Sequence, residues 1–155
     1  MQTIDDLIGE SPVFAGIEPE WRALVAGCGA NVVFRPDEWL FREGAPADTF
    51  WLIRRGRVAL QAHVPGRGDL TFETIEPGDV VGWSWLFPPY KWQYDSRAVD
   101  KVHAIAFDGA CVRGWGDVDA AFGYELMQCF GKVIVDRLQH TRMRLIEVYG
   151  HHPRN

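Results

Sequence analysis

Turn signals recur about every ten residues between positions 35 and 79, and a chain punctuated that often has room only for short strands between its corners. The corners are Arg35-Pro36-Asp37, Glu43-Gly44-Ala45-Pro46, Arg55-Gly56, Pro65-Gly66-Arg67-Gly68 and Glu76-Pro77-Gly78-Asp79. The segments beside them, 31–34, 39–42, 50–55, 57–64, 70–75 and 102–107, are rich in β-branched and aromatic residues and read as strands. Many short strands at close spacing predict an antiparallel β-roll of jelly-roll type.

Helical spacing brackets that region. Trp21, Leu24 and Val25 recur helically over 18–26, with Pro19 suited to a first turn. From about residue 118 to 149 the chain runs without proline, with Gly123 and Gly131 as weak points, and predicts a long helix. Two apolar faces run along it. Phe122, Leu126, Phe130 and Val133 form one, suited to packing on the roll. Tyr124, Met127, Gly131, Ile134, Leu138, Thr141, Leu145 and Val148 form a heptad-like seam, which predicts a homodimer through this helix; the alternative is that the seam wraps the roll. The fold class is therefore mainly β with flanking helices. The expected organisation is one domain over 1–150, with a helical part at 1–28, the roll at 29–107, terminal helices at 108–150, and a tail at 151–155.

A net charge of −5 argues against a surface built to neutralise nucleic-acid phosphates. No apolar run approaches the ~20 residues of a membrane span. Cys28, Cys111 and Cys129 lie far apart without paired spacing, and residues 1–6 carry no signal sequence, so a cytoplasmic protein with reduced thiols is expected. The histidines, His63, His103, His140, His151 and His152, have no metal-ligand spacing, and no metal or iron–sulfur site is expected. No nucleophile motif is present, so no catalytic residue is assigned.

Taken in order, several segments resemble the cyclic-nucleotide-binding domain of the catabolite-activator and fumarate-nitrate regulator family. Ser11-Pro12-Val13-Phe14-Ala15-Gly16-Ile17 looks like its opening helix, and Phe41-Arg42-Glu43-Gly44 with Trp51 to Val58 like its hairpins. Glu76-Pro77-Gly78-Asp79-Val80-Val81-Gly82 is similar to the approach to its phosphate-binding cassette, and Arg137-Leu138 with Thr141-Arg142 to its long helix. The resemblance implies a β-roll whose cassette, with a short helix, holds a nucleotide.

Three departures qualify that implication. Where the family's nucleotide receptors carry a glutamate for the ribose, this chain has Trp83. The position of the phosphate-binding arginine, some five residues before Arg97-Ala98, holds Trp92, or Gln93 in a gapless alignment. Neither forms a charge-assisted pair, although Lys91 and Arg97 lie close in sequence. Finally, only His151, His152, Pro153, Arg154 and Asn155 follow Gly150, leaving no room for a DNA-reading helix, so direct DNA binding is not expected.

Trp83, Trp85, Tyr90, Trp92 and Tyr94 crowd around Pro88-Pro89. They read either as an aromatic pocket or docking surface, or as side chains filling a vacated ligand cavity, with Trp83 expected inside and Tyr90 and Trp92 expected outside. The candidate ligand site is Val81, Gly82, Trp83, Ser84, Trp85, Leu86, Lys91, Trp92 and Arg97, for a nucleotide or other planar anion. The expected function is non-catalytic ligand sensing through a degenerate cassette. The alternatives are a protein-interaction subunit of a larger complex, such as a soluble redox enzyme, and a true cyclic-nucleotide receptor.

Overall fold

A computed structural model describes residues 1–150; the expected tail at 151–155 lies outside them. Helix α1 (Ile4–Glu10) and a 3-10 turn at Pro12–Phe14 precede α2 (Pro19–Ala26). Eight strands follow, β1 (Gly29–Phe34), β2 (Trp39–Phe41), β3 (Thr49–Arg55), β4 (Val58–Val64), β5 (Gly68–Ile75), β6 (Val80–Val81), β7 (Asp95–Ala98) and β8 (Val102–Asp108), then α3 (Gly109–Val118) and α4 (Ala120–Gly150). All pairings are antiparallel, in two four-stranded sheets ordered β1-β8-β3-β6 and β2-β7-β4-β5. This is the expected jelly-roll-like β-roll with flanking helices.

Two apolar clusters hold it together. Phe41, Trp51, Ile53, Leu60, Trp92 and Ala104 fill the inside of the roll. Phe50, Leu52, Ile105 and Phe107, alternating with them along β3 and β8, face the helices and meet Ile8, Phe14, Val25, Trp85, Phe122, Leu126 and Phe130. The face of α4 expected to pack on the roll does so: Phe122, Leu126, Phe130 and Val133 are buried, with Cys129 and Arg137 beside them.

Three local features depart from the expectation. Helix α1 is too short for a visible apolar period, yet Thr3 and Asp6 cap it reciprocally, side chain to backbone, at 3.1 and 2.9 Å. The helix expected from residue 118 starts at Ala120, because Asp119 turns the chain and its Oδ1 accepts from Ala121 and Phe122 at 3.1 and 3.2 Å. Strand β7 carries no apolar pattern and is fixed by pairing, Leu60 opposite Ser96 and Val58 opposite Ala98.

The expectation of reduced cysteines is overturned at two of the three. Cys28 and Cys111 form a disulfide across 83 residues of sequence, while Cys129 is a buried free thiol. Register is the reason: β1 and β8 pair with Gly29 opposite Phe107, so the residue before β1 lies against the first turn of α3.

Candidate functional site

The cassette begins where β6 pairs with β3, Val81 opposite Trp51, and the Gly78-Asp79 corner is held by Gly78 N–H on the Ile53 carbonyl at 2.8 Å. Gly82 then adopts φ +99°, and a Cβ built there would lie 2.7 Å from Cη2 of Trp92, so both its backbone and its contact require glycine. A 3-10 turn at Ser84–Leu86 follows. Its Trp85 is fully buried, stacked on Phe50 at 4.5 Å, and its indole N–H donates to the Gly82 carbonyl at 3.0 Å. Trp85 therefore pins the cassette to the helix-side core.

Trp92 pins it to the other core. It is 3% exposed and lies parallel to Phe41 with ring centroids 3.7 Å apart. This corrects the expectation that Trp92 lies outside. Its backbone pairs with the Glu43–Ala45 corner, Gly44 N–H to the Trp92 carbonyl at 2.8 Å and Trp92 N–H to the Ala45 carbonyl at 3.0 Å, and that pairing turns the indole inward. Tyr90, also expected outside, is half-buried with the Arg113 guanidinium 4.4 Å above its ring.

Between cassette, roll and α4 a cavity of about 240 Å³ remains. Trp83 supplies one wall, Leu60, Phe72, Glu73 and Tyr94 come from the roll, and Ile134, Arg137, Leu138 and Thr141 from α4. The aromatic walls meet edge to face, Phe72 with Tyr94 at 5.5 Å and Trp83 with Tyr94 at 6.2 Å.

Two charged residues line this cavity, Glu73 and Arg137, and the Arg137 side chain is 7% exposed. One terminal nitrogen donates to the Val80 carbonyl and lies 3.7 Å from Asp79 Oδ1, and the guanidinium sits 4.9 Å from the Trp83 ring. Among the described residues, Nε and Nη1 of Arg137 are buried without hydrogen-bond partners, as are the Tyr94 hydroxyl and Ser96 Oγ. Burial pushes the Tyr94 phenol up to about 12, against the pull of nearby Arg137. Buried N–H groups left unpaired cost ~1–3 kcal/mol each, so this cluster is poised to accept a hydrogen-bond acceptor.

Of the nine candidate ligand residues, only Trp83 lines the cavity. Val81, Ser84 and Trp85 are buried, Leu86 packs against the helix-side core, and Gly82 and Trp92 close on each other. Lys91 is exposed at a bridge to Pro46. Arg97 lies on the face of its sheet opposite Ser96, 3.7 Å from Asp69 and above the Trp39 ring, because neighbouring side chains of a strand point to opposite faces. Arg137 is not among the expected site residues, although it continues the apolar stripe of Leu126, Phe130 and Val133 by four residues; a charge in that register signals burial. Phe72 and Glu73 carry no such signal, since only the roll's curvature brings them here.

The expected seam divides. Ile134, Leu138 and Thr141 border the cavity, whereas Tyr124, Met127, Leu145 and Val148 face outward and are exposed, and nothing crowds Gly131. Met143, Ile146 and Tyr149 are exposed on the same distal part of α4.

Comparison with known proteins places this geometry. The family model described as the cyclic nucleotide-binding domain matches residues 31–114. Over 145 residues, 94% of the chain, it is 23% identical to the CRP-like cAMP-activated global transcriptional regulator of Mycobacterium tuberculosis, and it spans 63% of that protein's length. Among solved structures it is similar to a cyclic nucleotide-binding domain from Methylobacillus flagellatus, with TM-score 0.79, 15% identity, and coverage of 93% of this chain and 81% of that one. It is also similar to the catabolite activator protein of Thermus thermophilus, with TM-score 0.71, 18% identity, and coverage of 90% and 63%. The chain thus belongs to the cyclic nucleotide-binding domain family.

Proposed function

We propose that residues 1–150 act as one non-catalytic ligand-sensing domain, and that the cavity beneath Trp83 binds a planar ring bearing an anionic group. The observation that carries this reading is the buried Arg137, with two unpartnered N–H-bearing nitrogens beside aromatic walls. Arg137 pairs with the anion, the ring stacks among Trp83, Tyr94 and Phe72, and Glu73 and Thr141 receive its polar edge. At the positions expected to serve the family's usual ligand stand Trp83 and Trp92, or Gln93 in a gapless alignment, and none of these forms a charge-assisted pair, so recognition passes from the cassette to α4. No helix among the described residues is long and apolar enough to cross a membrane; on the chain's likeness to the CRP-like regulator a cytoplasmic location is part of the proposal.

Thermal unfolding with cyclic AMP, cyclic GMP and a cyclic dinucleotide at millimolar concentration tests the reading. A ligand at a hundred times its Kd stabilises by about 2.7 kcal/mol, and Arg137→Met is expected to abolish the shift while remaining folded, since it leaves no buried charge unpaired. A panel that moves neither protein defeats the proposal. The apolar surface of distal α4 favours a second property, a homodimer through this helix.

A further inference from the structure

The geometry points to the Cys28–Cys111 pair as a thiol–disulfide site that controls the order of the cassette. The bond joins the entry to β1 with the first turn of α3, and both cysteines are half-buried and so within reach of a reductant. Two residues beyond Cys111, Arg113 reaches from α3 to the cassette. Its Nη1 donates to the Trp85 carbonyl, and its guanidinium lies 4.4 Å over the Tyr90 ring. The start of α3 also backs Trp85 directly, since a Cβ at Gly109 would sit 3.0 Å from Cβ of Trp85. One short helix thus carries the disulfide and a polar tie on the cassette.

The chemistry balances with an external dithiol as reductant. Its thiolate attacks one sulfur of the pair, the S–S bond breaks, and the electron pair leaves on the other sulfur, which takes up a proton. The reductant's second thiol then displaces the mixed disulfide, so that two electrons and two protons reach the pair and the dithiol leaves oxidised. Without the bond, α3 keeps its backbone contacts, Asp108 N–H to the Cys28 carbonyl at 3.0 Å and Gly109 N–H to the Asp48 carbonyl at 2.7 Å, but loses its covalent tie. The domain stays folded while Arg113 and the cassette gain freedom. In the cytoplasm, disulfides that form are typically redox-sensing rather than structural, which agrees with this assignment.

Amide hydrogen exchange of segment 82–92, measured on the protein oxidised and after treatment with dithiothreitol, is the test, with thiol alkylation scoring the state of the pair. Reduction is expected to raise exchange several-fold in that segment and leave β3 and β8 unchanged. Arg113→Met is expected to give the same rise with the disulfide intact, and reduction of that variant to add little. The C28S/C111S double variant should match reduced wild type and ignore dithiothreitol. An unchanged cassette after complete reduction, uniform loosening of the whole chain, or a pair that opens only on unfolding would each overturn the assignment.

Discussion

Tyr94 has a ring well placed between Phe72 and Trp83 but a hydroxyl without a well-aligned partner, so it contributes packing at the cost of a stranded polar group. Because burial holds its folded pKa at about 12, above the ordinary 10, ionisation is resisted in the folded state. The resulting stability is fully present below pH 10 and is lost as pH rises through 12, a change of roughly 3 kcal/mol for a shift of this size. Tyr94→Phe is expected to be at least as stable as wild type at pH 7 and to flatten the alkaline loss, as read by urea unfolding between pH 9 and 12. An unaltered alkaline limb would mean that another group sets it. The same local logic separates the three tryptophans between residues 83 and 92: Trp85 and Trp92 each stack against a phenylalanine in a different core, whereas Trp83 borders the cavity.

Helix α4 joins packing, site and surface along one element. Its first half buries Phe122, Leu126, Phe130 and Val133, Arg137 and Thr141 reach the cavity, and Arg144 donates to the Phe72 carbonyl. Gly123 is the crossing point with α3, where a Cβ would meet the Gly116 carbonyl oxygen at 3.0 Å, so what reads as a weak point in the sequence is a close approach. Beyond Arg144, Leu145, Ile146, Val148 and Tyr149 are all exposed. Ordinary surfaces rarely leave so much apolar area together, and a second copy of the helix would cover it. Sedimentation should give a dimer for wild type and a monomer for L145E/V148E with unchanged far-ultraviolet circular dichroism. A wild-type monomer at high micromolar concentration would remove the homodimer.

Across the whole molecule, the disulfide closes a loop of 83 residues and thereby restricts the denatured chain by about 4.5 kcal/mol on the loop-entropy account. That is less than the 5–15 kcal/mol typical of a domain, so the reduced protein is expected to remain folded with a lower urea midpoint. Identical midpoints with and without reductant would contradict it. Much of the fold was legible before the structure: corner residues and β-branched runs mark the strands of the roll, and a proline-free apolar period marks α4, because backbone propensity and side-chain periodicity are local. Strand β7 and helix α1 were not, since their positions rest on pairing and capping. The site was less legible than the fold. Trp83 was identified from the cassette resemblance, but Arg97 shares its sequence neighbourhood and points the other way, while Arg137 comes from an element more than fifty residues away. The sequence by itself determined the roll and its long helix. Tertiary structure alone decided that Trp92 fills the roll, that Cys28 meets Cys111, and that a buried arginine faces the remaining cavity. Those outcomes depend on which distant segments exclude water together, and no local pattern encodes that.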